Sequence, residues 1–234
     1  MKPLLVFVGA LFAVSSTALA TSIPTCVTNT LASYEALANG CEINNLLFDN
    51  FSDMESAATA SALTPSEITV TPDFTLLDEG LAFNAAWSVA TPAAIDSAIS
   101  FTVQTVNGAD TLDDISLSAT ETYTGNGIAS VTENYCVGSL NGAGNHCPST
   151  LQTISVSDPP ALNNGPVTQT YGLTNELSVT KDIDVAATAP NSTATITVVD
   201  NNYSQIGTVP EPISLVLVGA GLLGVGLLRK RSRR

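Results

Sequence analysis

The feature that most constrains the fold is an alternation of apolar and small polar residues between residues 67 and 203. In the segment SAISFTVQTV (97–106), Ile99, Phe101 and Val103 share one face, and Thr105 continues it; the polar residues between them share the other. A period of two residues is that of a β-strand with one buried face. The sequence therefore predicts a chain built mainly of half-buried strands.

Seven further segments have this pattern and are rich in Val, Ile, Thr and Tyr. They are EITVTPDF, LAFNAAWSVA, DISLSATETY, ASVTENYCV, LQTISVS, NELSVTKDIDV and TATITVVDNNY, and NNLLFDNF is a further candidate. Turns rich in Gly and Asn, such as YTGNGI, separate them. Eight or nine such strands predict an antiparallel β-sandwich of jelly-roll or immunoglobulin-like type, with a closed barrel as the alternative. The pattern does not determine the strand order.

One segment, TNTLASYEALANGC (28–41), has helical spacing instead. Leu31, Tyr34, Leu37 and Ala38 fall on one helical face, and Gly40 supplies a stop signal. We therefore predict one short helix near the N-terminus of the β-domain.

The N-terminal segment has the features of an export signal. Residues 1–20 contain one basic residue, an apolar run and the small-residue exit Ala18-Leu19-Ala20, which signal peptidase accepts. The sequence predicts a cleaved signal peptide over 1–20 and an ectodomain over 21–208 that begins at Thr21.

The four cysteines, at positions 26, 41, 136 and 147, all follow this export signal. An even number of cysteines in an exported chain indicates disulfides, and four allow three pairings. The short spacings favour Cys26–Cys41 with Cys136–Cys147. A zinc site would need tighter clusters with histidine, whereas His146 is the only histidine in the chain.

The C-terminal segment has the features of a membrane anchor. Residues 213–228 are sixteen apolar or small residues without a charge. As a helix they span about 24 Å, and the basic side chains that follow can extend to the interface of a hydrocarbon core about 30 Å thick. We predict a transmembrane helix over 213–228 and a basic tail over 229–234 that stays in the cytoplasm.

The ectodomain is strongly acidic. It holds twenty of the 21 acidic residues, and Lys181 is its only lysine or arginine. Such a surface repels phosphate backbones, which excludes nucleic acid as a partner.

The sequence offers no catalytic constellation. His146 lies beside Cys147 in a Gly- and Asn-rich loop, no G-x-S-x-G motif is present, and the single tryptophan, Trp87, occupies an inward position of its strand. We predict that the protein is not an enzyme and needs no cofactor. Calcium is a secondary candidate, because NGADTLDD offers oxygen ligands without the spacing of a helix–loop–helix site. The residues concerned are Asn107, Asp110, Asp113 and Asp114.

A three-part signal closes the chain: Val209-Pro210-Glu211-Pro212, the apolar stretch 213–228, and a basic cluster. The cluster consists of Arg229, Lys230, Arg231, Arg233 and Arg234. The two prolines hold Glu211 in an extended segment that a peptidase can grip. Residues 209–234 resemble a PEP-CTERM sorting signal.

This resemblance implies a Gram-negative bacterium in which a membrane exosortase recognises Pro210, Glu211 and Pro212 as a handle and removes the tail, with the basic cluster as the stop. The implied partners are signal peptidase, exosortase and, before processing, the inner membrane. Such proteins typically reach the cell surface or the extracellular polysaccharide of a biofilm.

The ectodomain is more loosely similar to secreted PEP-CTERM proteins that have an early cysteine pair, a phrase like LLFDNFS and a later cysteine pair, a group without an activity to transfer. We expect a non-enzymatic structural role in the extracellular matrix; the alternative is a module that binds polysaccharide, with calcium as an aid.

Overall fold

In the computed structural model the described residues are 22–106, 110–138, 147–158 and 166–207. They form one short helix, α1 (Leu31–Glu35), and twelve strands. The strands are β1 (Asn29–Thr30), β2 (Cys41–Ile43), β3 (Leu46–Ala58), β4 (Thr69–Asp73), β5 (Asp78–Ala90), β6 (Ala93–Thr105), β7 (Asp110–Thr124), β8 (Gly127–Val137), β9 (Gln152–Asp158), β10 (Val167–Thr174), β11 (Glu176–Ala187) and β12 (Thr193–Gly207).

Several predicted features lie outside the described residues: the signal peptide 1–20, the segment 209–212, the span 213–228, the tail 229–234, Asn107 and His146. Within the described part of the chain there is no helix with the length and apolar character needed to span a bilayer.

The strands form two six-stranded sheets that pack face to face. The first sheet has the order β1-β4-β5-β12-β7-β10, and the second has the order β2-β3-β6-β11-β8-β9. All pairings between these strands are antiparallel. The prediction of an antiparallel two-sheet sandwich is therefore confirmed.

The chain repeatedly crosses between the two sheets. β5 belongs to the first sheet, β6 to the second, β7 to the first and β8 to the second, and β11 and β12 again lie on opposite sheets. Successive strands from β5 to β8 thus lie on alternate sides of the core. This arrangement places the central strands β11 and β12 opposite each other.

The core lies between the inner faces of the two sheets, where the predicted alternation holds. Ile99, Phe101 and Val103 are buried, whereas the polar residues between them are only partly covered. Trp87 is fully buried and donates from Nε1 to Ser97 Oγ at 2.8 Å, which links β5 to β6 across the core. Four aromatic side chains pack around Phe101: Phe48, Phe51, Phe83 and Tyr203.

The N-terminal helix is shorter than the prediction. α1 ends at Glu35, so Leu37 is only partly buried and Ala38 is exposed. The chain then turns through Gly40, whose φ is +64°, and any Cβ there would lie 2.2 Å from the Phe48 carbonyl oxygen. A turn this close to β3 ends the helical run, because Cys41 must pair with Phe48.

Two disulfides join Cys26 to Cys41 and Cys136 to Cys147, the local pairs that the spacing predicts. The first holds the segment before α1 against β2, where the Cys26 amide donates to the Glu42 carbonyl at 2.9 Å. The second joins the end of β8 to the segment that leads into β9.

Candidate functional site

The surface of the ectodomain carries no lysine or arginine. Lys181 is the only such residue between positions 21 and 208, and its side chain is fully buried. The twenty acidic residues are thus not balanced by any basic side chain on the outside. Such a surface repels anionic polymers and attracts cations.

The outer face of the first sheet contains a concavity of about 430 Å³. Its lining is almost entirely polar and comes from β4, β5, β7, β10 and β12. The lining residues are Asp73, Asp78, Ser116, Ser118, Pro166, Thr168, Asp200 and Asn202. Close to Asp78 in the chain, Gly80 lets β5 approach β12 closely, because a Cβ there would lie 2.1 Å from the Asn201 carbonyl oxygen and 2.2 Å from Asn202 Oδ1.

Like charges meet in this concavity. Burial is the main cause that raises the pKa of Asp78, and the carboxylates of Asp114 and Asp73 add to it. Burial likewise raises the pKa of Asp200, with a further contribution from Asp73. The concavity therefore presents hydroxyl, amide and carboxylate groups, which can hydrogen-bond to sugar hydroxyls or coordinate cations.

An exposed apolar loop adjoins the concavity in the chain. Residues 74–77 connect β4 to β5 directly after Asp73. In this loop Phe74 is 48% exposed, Leu76 75% and Leu77 50%. An exposed aromatic ring is a group on which a sugar ring can stack, and the sequence pattern did not single this one out.

Of the residues predicted for calcium, Asn107 lies outside the described residues, so this site stays a prediction. Among the described residues, the Asp110 carboxylate accepts a hydrogen bond from Asn45 Nδ2, and the main-chain oxygen of Asp114 accepts one from the Tyr171 hydroxyl. Asp113 lies where the register of β7 against β12 shifts, so it has no partner position on β12.

A different group of carboxylates converges on the outer face of the second sheet. Asp96 on β6 lies directly opposite Asp184 on β11, and Asp182 is two residues away on the same face. One oxygen from each of the three lies within 4.8 Å of the others. We call this group the aspartate cluster; carboxylate oxygens are the ligands that Ca²⁺ prefers.

Mutual repulsion is visible in the aspartate cluster. Burial, then the charge of Asp184 and a hydrogen bond to Asp96, raise the pKa of Asp182 to about 6. Burial and Asp96 also raise the pKa of Asp184. Because these carboxyls bind protons more tightly in the folded state, stability falls as the pH rises from about 4 through about 6.

The substitution Asp182→Asn should therefore stabilise the protein at neutral pH. We expect the free energy of unfolding to rise by about 1 kcal/mol at about pH 7.5, less than the full linkage value because the side chain is largely solvated, and to change little at about pH 4. Urea unfolding at both values measures this. The rise in the free energy of unfolding should be smaller when Asp184 is already Asn. The control T132N, on the neighbouring strand β8, should give no rise. A rise that is equal at both pH values would contradict repulsion between the carboxylates.

The most unusual polar group is in the core, between the central strands of the two sheets. Lys181 on β11 forms an ion pair with Glu133 Oε2 on β8, and both side chains are fully buried. Asn201 on β12, also fully buried, donates from Nδ2 to Glu133 Oε1 at 3.1 Å and to the Ser116 carbonyl at 2.9 Å. The buried Tyr203 hydroxyl donates to Asn201 Oδ1. We call Glu133, Lys181 and Asn201 the buried triad.

Burial opposes both charges of this pair. It raises the pKa of the Glu133 carboxyl and lowers the pKa of the Lys181 ammonium, and the ion pair works against both shifts. The Lys181 Nζ also lies 5.9 Å from the ring centroids of Phe83 and Phe101.

The alternating pattern did not single out the triad, although the sequence contains a local signal for it. Each of its residues occupies an inward phase of an alternating strand: Glu133 between Val131 and Tyr135, Lys181 between Val179 and Ile183. A charged residue at an apolar phase of a strand is the mark of a buried polar group.

Comparison with known proteins identifies one segment. Residues 208–232, which lie outside the described residues, match the family model of the PEP-CTERM protein-sorting motif. No curated protein matches the chain. A solved structure, that of TmCBM61 in complex with β-1,4-galactotriose, is similar with a TM-score of 0.30 and 7% identity, over 66% of this chain and 88% of that one. Similarity at this level does not define a shared function.

Proposed function

We propose that this chain is an exported bacterial protein that an exosortase processes near its C-terminus, since it carries a PEP-CTERM sorting motif at residues 208–232. After processing, it serves a structural, non-enzymatic role at the cell surface or in the exopolysaccharide matrix. The motif is the observation that carries the proposal. Before processing, the span 213–228 anchors the chain in the inner membrane with the ectodomain outside.

The ectodomain is compatible with this role. A sandwich with two disulfides suits an oxidising, extracellular compartment. A surface without lysine or arginine keeps such a protein soluble and away from anionic polymers.

The intact mass of the protein recovered from the surface or medium of its native host tests the proposal. We expect a mass that lacks residues 1–20 and the tail with its apolar span, with or without an added glycan. A mass that retains residues 213–234 would contradict processing and indicate a permanently anchored surface domain.

A second candidate function is the binding of a neutral polysaccharide at the concavity of the first sheet. The observation that favours it is the set of hydrogen-bonding side chains beside an exposed aromatic loop. Sugar recognition combines such polar groups with stacking on an aromatic ring.

Retention of the protein by immobilised neutral polysaccharide measures this function. We expect Asn202→Ala to weaken binding roughly tenfold, the value of one lost hydrogen bond between protein and sugar, and Phe74→Ala to weaken it as much. T132A, on the outer face of the second sheet, is the control and should bind as the unchanged protein does. Comparing retention with and without a chelator shows whether calcium assists binding. Absence of retention on every neutral polysaccharide tested would remove this function and leave the structural role.

A further inference from the structure

The buried triad places a nucleophile, Lys181, and an electrophile, Asn201, on the two oxygens of one proton carrier, Glu133. Lys181 Nζ contacts one oxygen of the Glu133 carboxyl group, and Asn201 Nδ2 lies 3.1 Å from the other. The amine of Lys181 and the side-chain amide of Asn201 are thus bridged by a single carboxyl group. All three side chains are completely buried, so water does not compete for them.

The placement of Lys181 is costly as a plain ion pair. Taking two charges out of water costs several kcal/mol per ion, and a buried pair is often no more stable than apolar side chains of the same size. The ectodomain nevertheless places its single lysine here, although it holds nineteen acidic residues besides Glu133.

Another buried carboxylate in this core has hydrogen-bond partners without a lysine. Glu79 is fully buried and accepts hydrogen bonds from Asn44 Nδ2 and Gln205 Nε2, both at 2.6 Å, and from the Leu77 amide at 3.3 Å. Neutral amides suffice there. Among the described residues, Glu133 is the buried carboxylate that contacts both a lysine amine and a side-chain amide.

We propose that Lys181 and Asn201 join to form an intramolecular isopeptide bond, with Glu133 as the catalytic residue that transfers the protons. The bond would connect Lys181 Nζ to Asn201 Cγ and release ammonia. It would tie β11, inside the second sheet, to β12, inside the first.

The reaction begins with proton transfer from the Lys181 ammonium to the Glu133 carboxylate. Burial favours this step, because it lowers the pKa of Lys181 and raises that of Glu133. The resulting amine has a free electron pair and attacks Asn201 Cγ. The Tyr203 hydroxyl, which donates to Asn201 Oδ1, stabilises the negative charge that forms on this oxygen.

Collapse of the tetrahedral intermediate breaks the Cγ–Nδ2 bond. Glu133 gives a proton to Nδ2, which leaves as ammonia, and takes one from Nζ, which becomes the amide nitrogen. The amine and the amide together lose one ammonia, no electrons are exchanged, and Glu133 ends as a neutral carboxylic acid. The reaction therefore removes both buried charges from the core.

A bond from Lys181 to Glu133 itself would be a different outcome. That condensation has to expel water from a carboxyl group and leaves no acid in place to carry the protons. The Asn201 amide offers a leaving group that Glu133 already contacts. The geometry therefore favours Asn201 as the acceptor.

Trypsin gives a direct test, because it cuts after lysine and arginine and Lys181 is its only site between Lys2 and Arg229. The full chain is unfolded, reduced and digested. An acylated Lys181 is not a substrate, so we expect no cut after residue 181 and an intact mass about 17 Da below that of the reduced sequence, the mass of the ammonia lost. Digestion with a second protease should yield one linked pair of peptides that contains residues 181 and 201.

E133Q and Y203F test the mechanism, with T132A on the outer face of β8 as the control that should still cross-link. E133Q should be cut after Lys181 and keep its full mass. If E133Q does not accumulate, Y203F, which loses only the hydroxyl, should give a mixture of linked and unlinked chains. Cleavage of the unchanged protein after Lys181, or a loss of about 18 Da with the bond on Glu133, would overturn the proposal. Complete cross-linking in E133Q would overturn the catalytic role of Glu133.

Discussion

Replacing Glu211 with alanine is expected to leave residues 213–234 attached to the protein and the protein in the membrane fraction. Glu211 carries the only charge of the Pro-Glu-Pro handle that we propose the exosortase recognises, and alanine removes that charge. Loss of a hydrogen bond to a charged group costs roughly 1.5–3 kcal/mol, so we expect processing to slow by tenfold or more. Fractionation and intact mass measure the released and retained forms.

The control for this substitution is Thr208→Ala, which changes a neighbouring side chain and leaves Pro-Glu-Pro intact. It should be processed normally. Glu211→Asp keeps the charge one methylene closer to the backbone and should give an intermediate rate. Normal release of the Glu211→Ala protein would contradict recognition of the handle and, with it, the proposed sorting.

The strands could be predicted because burial on one face imposes a period of two. Ile99, Phe101 and Val103 are buried as the pattern requires, and the prediction for Trp87 as an inward residue is confirmed. The short strands β1 and β2 contain too few residues to show a period. β10 was missed because it lies at the edge of the first sheet, where most of its residues are exposed or only partly covered.

The strand order could not be predicted, because the chain alternates between sheets. A short connection such as Gly125-Asn126 between β7 and β8 suggests a hairpin, yet the two strands it joins belong to different sheets. Turn residues indicate where the chain reverses, but they do not indicate with which strand the following strand pairs.

The candidate sites depend on contacts between strands that are distant in sequence. Asp96 on β6 lies opposite Asp184 on β11, although the two residues are 88 positions apart in the sequence. The calcium prediction used residues that are close together in the chain, and it stays a prediction because Asn107 lies outside the described residues. The buried triad had a local signal in each strand, but the meeting of its three members required the sheet order.

Phe101→Ala is expected to cause the largest loss of stability in the ectodomain, about 4 kcal/mol. The Phe101 ring is stacked on Phe51 at 5.5 Å and lies 5.8 Å from Phe83, with Phe48 and Tyr203 at 6.4 and 6.5 Å. These rings come from both sheets, so the loss of Phe101 leaves a cavity that neither sheet can fill alone. Aromatic pairs also contribute beyond the area they bury.

Chemical denaturation of the variant should show a lower midpoint with an unchanged slope, since the change affects packing and not the compactness of the chain. Phe74→Ala is the matched control: it removes the same group from an exposed loop and should change stability by no more than about 0.5 kcal/mol. Equal effects of the two substitutions would contradict the assignment of Phe101 to the centre of the core.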